Sequence, residues 1–183
     1  MPRPAITDYS GFNAHYVDLT TLEDVKIELQ ESLTPMLGFL TSIPESKADH
    51  AYATGKWTLK ELLQHCTDTE RIMAYRALCV ARGEQQNLPG FEENDYAAAS
   101  NANLRDWQGL IEEAILVRQS SILLFNYFTE EQLQKVGTSN NRAVTANALG
   151  FIIVGHFLHH QHIVNERYLV QYEHVEHQSN PLS

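Results

Sequence analysis

The chain has 183 residues, 43% hydrophobic and 20% charged, which suits one compact domain with a sizeable core and falls short of two. Nine Gly and six Pro exclude a collagen-like or low-complexity chain, and eight Tyr, seven Phe and two Trp exclude a disordered one. Thirteen Lys plus Arg against 23 Asp plus Glu leave a formal charge of −10, which repels a phosphate backbone, so no nucleic-acid partner is expected.

Behind Met1-Pro2-Arg3-Pro4 there is no apolar stretch of the kind a signal peptide needs, and no run approaches the ~20 apolar residues of a membrane span. A cytoplasmic chain with no membrane partner is expected, with residues 1–19 as an N-terminal arm. Apolar residues then recur at helical spacing in four long stretches, and none alternates with period two for long enough to demand a strand. The reading is all-α.

The first helix is expected from Thr20 or Thr21, where Thr21 with Asp24, or Thr20 with Glu23, sets a capping hydroxyl before an acidic first turn. Leu22, Val25, Leu29, Leu33, Met36 and Leu40 supply its buried stripe, Pro35 should kink it, and Ile43-Pro44 ends it. The second helix opens on a capping box, Thr58-Leu59-Lys60-Glu61, and runs to about Arg82-Gly83 with His65 inside its apolar face. Cys66 and Cys79 lie about 20 Å apart along it and are expected as reduced thiols. The third helix is expected from near Asn103, through Leu104, Trp107, Leu110, Ile111, Ala114, Ile115 and Ile122 to Phe125. Thr129 to Gln132 forms another capping box, opening a short helical turn. After the polar stretch Gly137–Asn141 a fourth helix runs from near Thr145 to about Gln171, so the bundle spans 20–171 and residues 172–183 read as a mobile tail.

About 20 residues, Gly83 to Ala102, join helices two and three, more than neighbours in a compact bundle need. At ~3.3 Å per residue this crossover can travel the ~36 Å length of the second helix, which lets the two run parallel in an up-down-down-up four-helix bundle.

Nine histidines are many for this length, and four fall within seven positions: His156, His159, His160 and His162. On a helix His156 and His160 lie about 40° apart and one turn apart, the arrangement that lets two imidazoles converge on one ion, whereas His162 points about 120° away. His65 is the natural third ligand, and His159 is the alternative to His160. A single buried histidine is more often a neutral core group bonded to a carbonyl. Three facing one core favour a metal, because leaving each unpartnered costs about 1–3 kcal/mol. Three protein ligands also leave a position open for water or substrate, the mark of a catalytic site. The metalloprotease pattern H-E-x-x-H is absent, with Phe157 where its glutamate would stand, and no nucleophile elbow, P-loop or dinucleotide fingerprint is present.

Three segments resemble, in order, the signatures of the DinB-like superfamily. The first is Gly55-Lys56-Trp57-Thr58-Leu59-Lys60-Glu61-Leu62-Leu63-Gln64-His65 with Asp68-Thr69-Glu70-Arg71. The second is Leu88-Pro89-Gly90-Phe91-Glu92-Glu93-Asn94-Asp95-Tyr96, and the third is Gly155-His156-Phe157-Leu158-His159-His160 through Glu166-Arg167-Tyr168-Leu169. The likeness covers residues from about 20 to 170. It implies an up-down-down-up four-helix bundle, a divalent metal held by His65, His156 and His160, and a homodimer as the common assembly. Zn²⁺ and Ni²⁺ both suit imidazole. Relatives often carry Glu at the position of Phe157, so any role of that carboxylate must fall elsewhere. Glu92, Glu93 and Asp95 are candidates to replace it, with Tyr96 and Arg76 as substrate contacts; alternatively Glu70, Arg71 and Arg76 form a charge cluster on the helix surface.

The superfamily includes transferases that use low-molecular-weight thiols such as bacillithiol, a mycothiol-dependent isomerase and metal-dependent hydrolases. The leading expectation is a metal-dependent thiol S-transferase acting on small electrophiles, since a thiol binds as the anion a metal stabilises and needs no dedicated carboxylate base. A hydrolase is the alternative. The third reading, a non-catalytic metal-containing bundle in binding or stress response, requires a fourth side chain on the metal and no pocket leading to it. Metal binding is expected to weaken as pH falls through the histidine range near ~6.5.

Overall fold

A computed structural model of the chain describes residues 2–169. The N-terminal residues hold more structure than an arm suggests. Two 3-10 turns, Ile6–Asp8 and Gly11–Asn13, lead into helix α1 (Ala14–Leu19). Thr20 is the C-cap of α1, its hydroxyl donating to the Val17 carbonyl at 2.7 Å, so it ends one helix rather than opening the next. Helix α2 (Val25–Ser42) starts at Asp24 instead, whose carboxylate accepts from the Lys26 and Ile27 amides, and its helical assignment is unbroken across Pro35. Helix α3 (Leu59–Arg82) has the expected capping box, Glu61 N donating to Thr58 Oγ1 at 3.1 Å and Thr58 N to Glu61 Oε2 at 2.8 Å. It ends at Gly83, whose φ of 90° is the left-handed cap that glycine adopts without strain.

The crossover carries a short helix α4 (Glu93–Ala99) and a 3-10 turn at Ala102–Leu104. Helix α5 (Trp107–Asn126) begins at Asp106, later than the expected Asn103, because the Asp106 carboxylate caps the Gly109 amide at 2.6 Å. Leu104 therefore sits before the helix and is 86% exposed, not part of its buried stripe. Helix α6 (Glu130–Gln134) follows the Thr129 box.

Next comes an antiparallel hairpin of strands β1 (Val136–Ser139) and β2 (Arg142–Thr145), where only a polar separator was expected. Asn140 and Asn141, with φ of 49° and 62°, make the tight turn that asparagine tolerates between two strands. Helix α7 (Ala146–Ile163), capped by Thr145, continues into a π-helical turn, Val164–Leu169. The expected helix end near Gln171 and the tail 172–183 lie outside the described residues.

Cross-links set the helix directions. Lys26 at the start of α2 donates to the Asn126 carbonyl at the end of α5, and Ser32 accepts from Arg118, so α2 and α5 are antiparallel. Gln64, Glu70 and Arg71 of α3 meet Arg105, Arg118 and Glu113 in or just before α5, so those two helices run parallel. Val25 lies against Gly150 and Phe39 against Phe157, so α2 and α7 are parallel. With α3 antiparallel to α7, this is the up-down-down-up four-helix bundle, and the Gly83–Ala102 crossover returns the chain between two parallel helices. The arrangement brings the first turns of α3 against the last turns of α7.

The interior holds a buried ion pair, Arg118 to Glu70, with Nε–Oε1 at 2.9 Å. Glu70 is thus a core residue, Arg71 pairs across to Glu113 and Arg76 is buried, so the three do not form the surface charge cluster that was the alternative reading. Both cysteines are free. No helix among the described residues is long and apolar enough to cross a membrane.

Candidate metal centre

The Thr58 cap sets the register that places His65 in the second turn of α3, facing inward and packed under the Trp57 ring at 4.7 Å. Tyr168 holds Trp57 from the other side, its hydroxyl donating to the Trp57 carbonyl at 2.8 Å. On α7, His156 and His160 are one turn apart on the face toward α3. Gly155 lets α1 close over them: a Cβ there would lie 1.9 Å from the Tyr16 carbonyl oxygen. The Tyr16 ring consequently stands edge-on to His156, with centroids 5.4 Å apart.

Three Nε2 atoms converge. His156 Nε2 is 3.1 Å from that of His65 and 3.2 Å from that of His160, and all three ligand atoms lie within 4.8 Å of one another. An imidazole nitrogen has either one proton or one lone pair, so His156 Nε2 cannot make good hydrogen bonds to both neighbours. A single cation satisfies all three at once, and nitrogens about 2.0–2.1 Å from one ion stand roughly 3.2–3.4 Å from each other. Among the described residues the Nδ1 of His160 is buried without a hydrogen-bond partner. The donor set fits a divalent metal.

Electrostatics agree with that role. Burial pushes the His65 imidazole down to about 4, and burial followed by the charges of His65 and His159 pushes His160 to about 3. His156 is held well below the ordinary range by burial first, then by its histidine neighbours. All three are therefore neutral near pH 7, the state a metal ligand needs.

His159 turns to the other side of α7, with its Nδ1 2.9 Å from His15 Nε2 and its ring against Tyr16. His162 is exposed. Phe157, at the position of the missing glutamate, points into the core between Phe39 and the Arg118 guanidinium.

A cavity of about 340 Å³ opens onto His65 and His156. Of the other sequence candidates, Arg76, Glu92 and Glu93 line it, while Asp95 and Tyr96 are exposed and do not; Tyr96 packs on Phe91, 5.0 Å away. The wall also includes Tyr16, Thr69, Met73 and, from the hairpin, Ser139, Asn140 and Arg142 to Val144. Burial, then the Glu93 charge, raises the Tyr16 hydroxyl above its ordinary range and keeps it protonated. Burial, then Glu70, likewise raises the Cys66 thiol and favours its protonated form. Sequence reasoning missed Tyr16, because a six-residue helix shows too little periodicity to announce a docking face, and it missed the hairpin wall. Thr69 stood inside the first quoted segment, but nothing in its spacing singled it out.

An up-down-down-up four-helix bundle with three imidazoles converging between its second and fourth helices defines this as a helical-bundle protein with a three-histidine cluster that could hold a metal ion. The model of the DinB superfamily matches residues 28–164, and the chain belongs to that superfamily. It is 25% identical over 122 residues, 63% of this chain and 68% of the relative, to an Oceanobacillus iheyensis protein named among the metal-dependent hydrolases. Its fold is similar to that of YfiT from Bacillus subtilis, described as a metal-dependent hydrolase with an unusual four-helix bundle topology, at a TM-score of 0.65 and 16% identity, covering 91% of this chain and 90% of that one. It is also similar to a mycothiol-dependent maleylpyruvate isomerase, at a TM-score of 0.58 and 12% identity, covering 81% of this chain and 59% of that longer one. Helix α1, which covers the histidines, lies before the matched family region.

Proposed function

We propose that this protein is a metal-dependent enzyme that directs a thiol against a small electrophile in the cavity beside His65 and His156, a thiol S-transferase. The cavity carries the reading: among the described residues the histidine cluster has three members and a side that meets the cavity, where a purely structural centre is closed by a fourth side chain. A Zn²⁺ or Ni²⁺ ion held by the three imidazoles supplies Lewis acidity, which makes a thiol nucleophilic near neutral pH.

The chain's own residues do the rest. Burial keeps the three Nε2 lone pairs free of protons. Tyr16 offers a hydroxyl donor at the cavity wall, and Met73 and Phe91 line it with apolar surface that displaces water from a bound molecule. A thiol is favoured over water because the carboxylate expected after His156 is replaced by Phe157, which faces the core. Hydrolysis is the second reading, supported by the charge of Glu93 acting on Tyr16 and by the names of two relatives.

The deciding experiment incubates metal-loaded protein with bacillithiol, glutathione or cysteine and a panel of small electrophiles. Thiol consumption above that of His65→Ala is expected. Its absence would sink the transferase reading, and substrate cleavage without added thiol would establish the hydrolytic one.

A further inference from the structure

Four residues of α3 run down the cavity wall: His65, Thr69, Met73 and Arg76. Spacings of four, four and three place them on one helix face, spanning about 16 Å of axis. The chemistry changes along this stripe. At one end stand the imidazoles. Next comes the Thr69 hydroxyl, which is 3% exposed and has no hydrogen-bond partner among the described residues. Met73 adds an apolar surface, and Arg76 ends the stripe, 6% exposed.

Arg76 is the anomaly. Its Nη2 donates to the Pro89 carbonyl at 2.7 Å, its Nη1 reaches Met73 Sδ at 3.5 Å, and its guanidinium lies 5.9 Å from the Phe91 ring centre. None of these carries negative charge, and among the described residues no carboxylate lies within ion-pairing distance of it. The other buried arginine, Arg118, is fully paired with Glu70. Burial lowers the Arg76 pKa with no acidic neighbour opposing it, yet a guanidinium remains charged at any physiological pH. A buried cation without a counter-charge costs several kcal/mol, and the bonds to the Pro89 carbonyl and the Met73 sulfur use two of its five N–H groups. Arg76 lines a cavity that can admit a small molecule.

We propose that Arg76 is the anion-recognising residue of this cavity, which takes an elongated small molecule with a carboxylate or phosphate group remote from its reacting atom. The reacting end lies beside His65 and His156, a polar group of the molecule meets Thr69 Oγ1, and the guanidinium fork grips the anion with two parallel N–H bonds. The placement of the reacting end rests on the function proposed above. The anion site itself does not, and this makes the two separable.

The test is calorimetric titration of the full chain, with and without bound metal, with succinate and with inorganic phosphate as separate probes and neutral succinamide as control. Saturable single-site binding of at least one anion is expected, with Arg76→Gln weakening it by about tenfold or more and Arg76→Lys falling between. Arg82→Gln, which removes the same charge from an exposed position on α3, should leave binding unchanged. A second readout needs no substituted core residue: the Arg76 Nε–H resonance of the wild-type chain should shift saturably with the bound anion and stay put with succinamide. The proposal is overturned if Arg76→Gln binds as wild type, if succinamide binds as well as succinate, if neither anion saturates, or if the resonance does not move. His65→Ala should lose metal and turnover while keeping anion binding. Turnover without any effect of Arg76→Gln on anion binding counts against the anion site alone, and anion binding in a chain that takes up no metal counts against the catalytic reading alone.

Discussion

His159 and His160 are neighbours in sequence with opposite surroundings. His160 Nε2 points at His156, whereas His159 is hydrogen-bonded to His15 across the surface of α7. His160→Ala should strip the metal, and His159→Ala should keep it at a cost limited to local packing; elemental analysis of the two variants side by side checks this. Loss in His159→Ala with retention in His160→Ala would mean that the register of α7 is wrong. The same burial sets the pH response. An unfolded histidine titrates near ~6.5, while folded His65 and His160 are pushed down to about 4 and about 3. As pH falls the unfolded chain takes up protons first, so the stability associated with neutral imidazoles is complete above ~6.5 and is lost progressively as pH falls through the folded values. Metal release from the folded chain should likewise begin below the ~6.5 expected from sequence. Substantial release above pH ~6.5 in a metal-buffered titration would show that the folded imidazoles are not held neutral.

At the scale of elements, the site depends on close packing that single residues permit. Gly155→Ala would drive a Cβ into the Tyr16 carbonyl, so α1 must move off α7. Overpacking of this kind costs about 1–3 kcal/mol, read as a lower urea midpoint, and the residues ahead of α2 should become open to limited proteolysis. Unchanged stability and protection would mean that α1 does not seat on Gly155. The Glu70–Arg118 pair ties α3 to α5, and Ser32 of α2 joins it. Arg118→Met strands a buried carboxylate and should cost about 3–5 kcal/mol, whereas adding Glu70→Leu should recover most of the loss. Equal destabilisation in the single and double variants would show that packing, not charge, dominates there.

For the whole molecule, a metal held by the three histidines would couple binding to folding. His65 comes from the second helix and His156 and His160 from the fourth, so the cluster exists only when the bundle is assembled. An ion that binds only the folded chain stabilises it by about 2.7 kcal/mol at one hundred times its Kd. Added Zn²⁺ or Ni²⁺ should raise Tm, a chelator should reverse the gain, and His65→Ala should abolish it. A Tm indifferent to both ions would contradict a three-histidine centre.

The sequence by itself determined the four bundle helices and the two histidines of the candidate site that share one of them. Thr58 and Glu61 state the start of α3 because a capping box is local chemistry, and His156 and His160 share a face because helical geometry requires it. The apolar face of α3 offers His65 as the natural third member, and the superfamily signatures imply the same set. Only the tertiary structure decided the rest. Asp24, not a threonine, caps α2 because Thr20 sits at the end of α1 and the first turn of α2 opens only at Val25, and the four-residue strands are too short for alternation to reveal. Arg71 and Arg76 read alike in sequence, yet one reaches Glu113 and the other is buried without a carboxylate. Charge pairing and burial depend on which distant segments meet, and periodicity along one helix carries no information about what lies across from it.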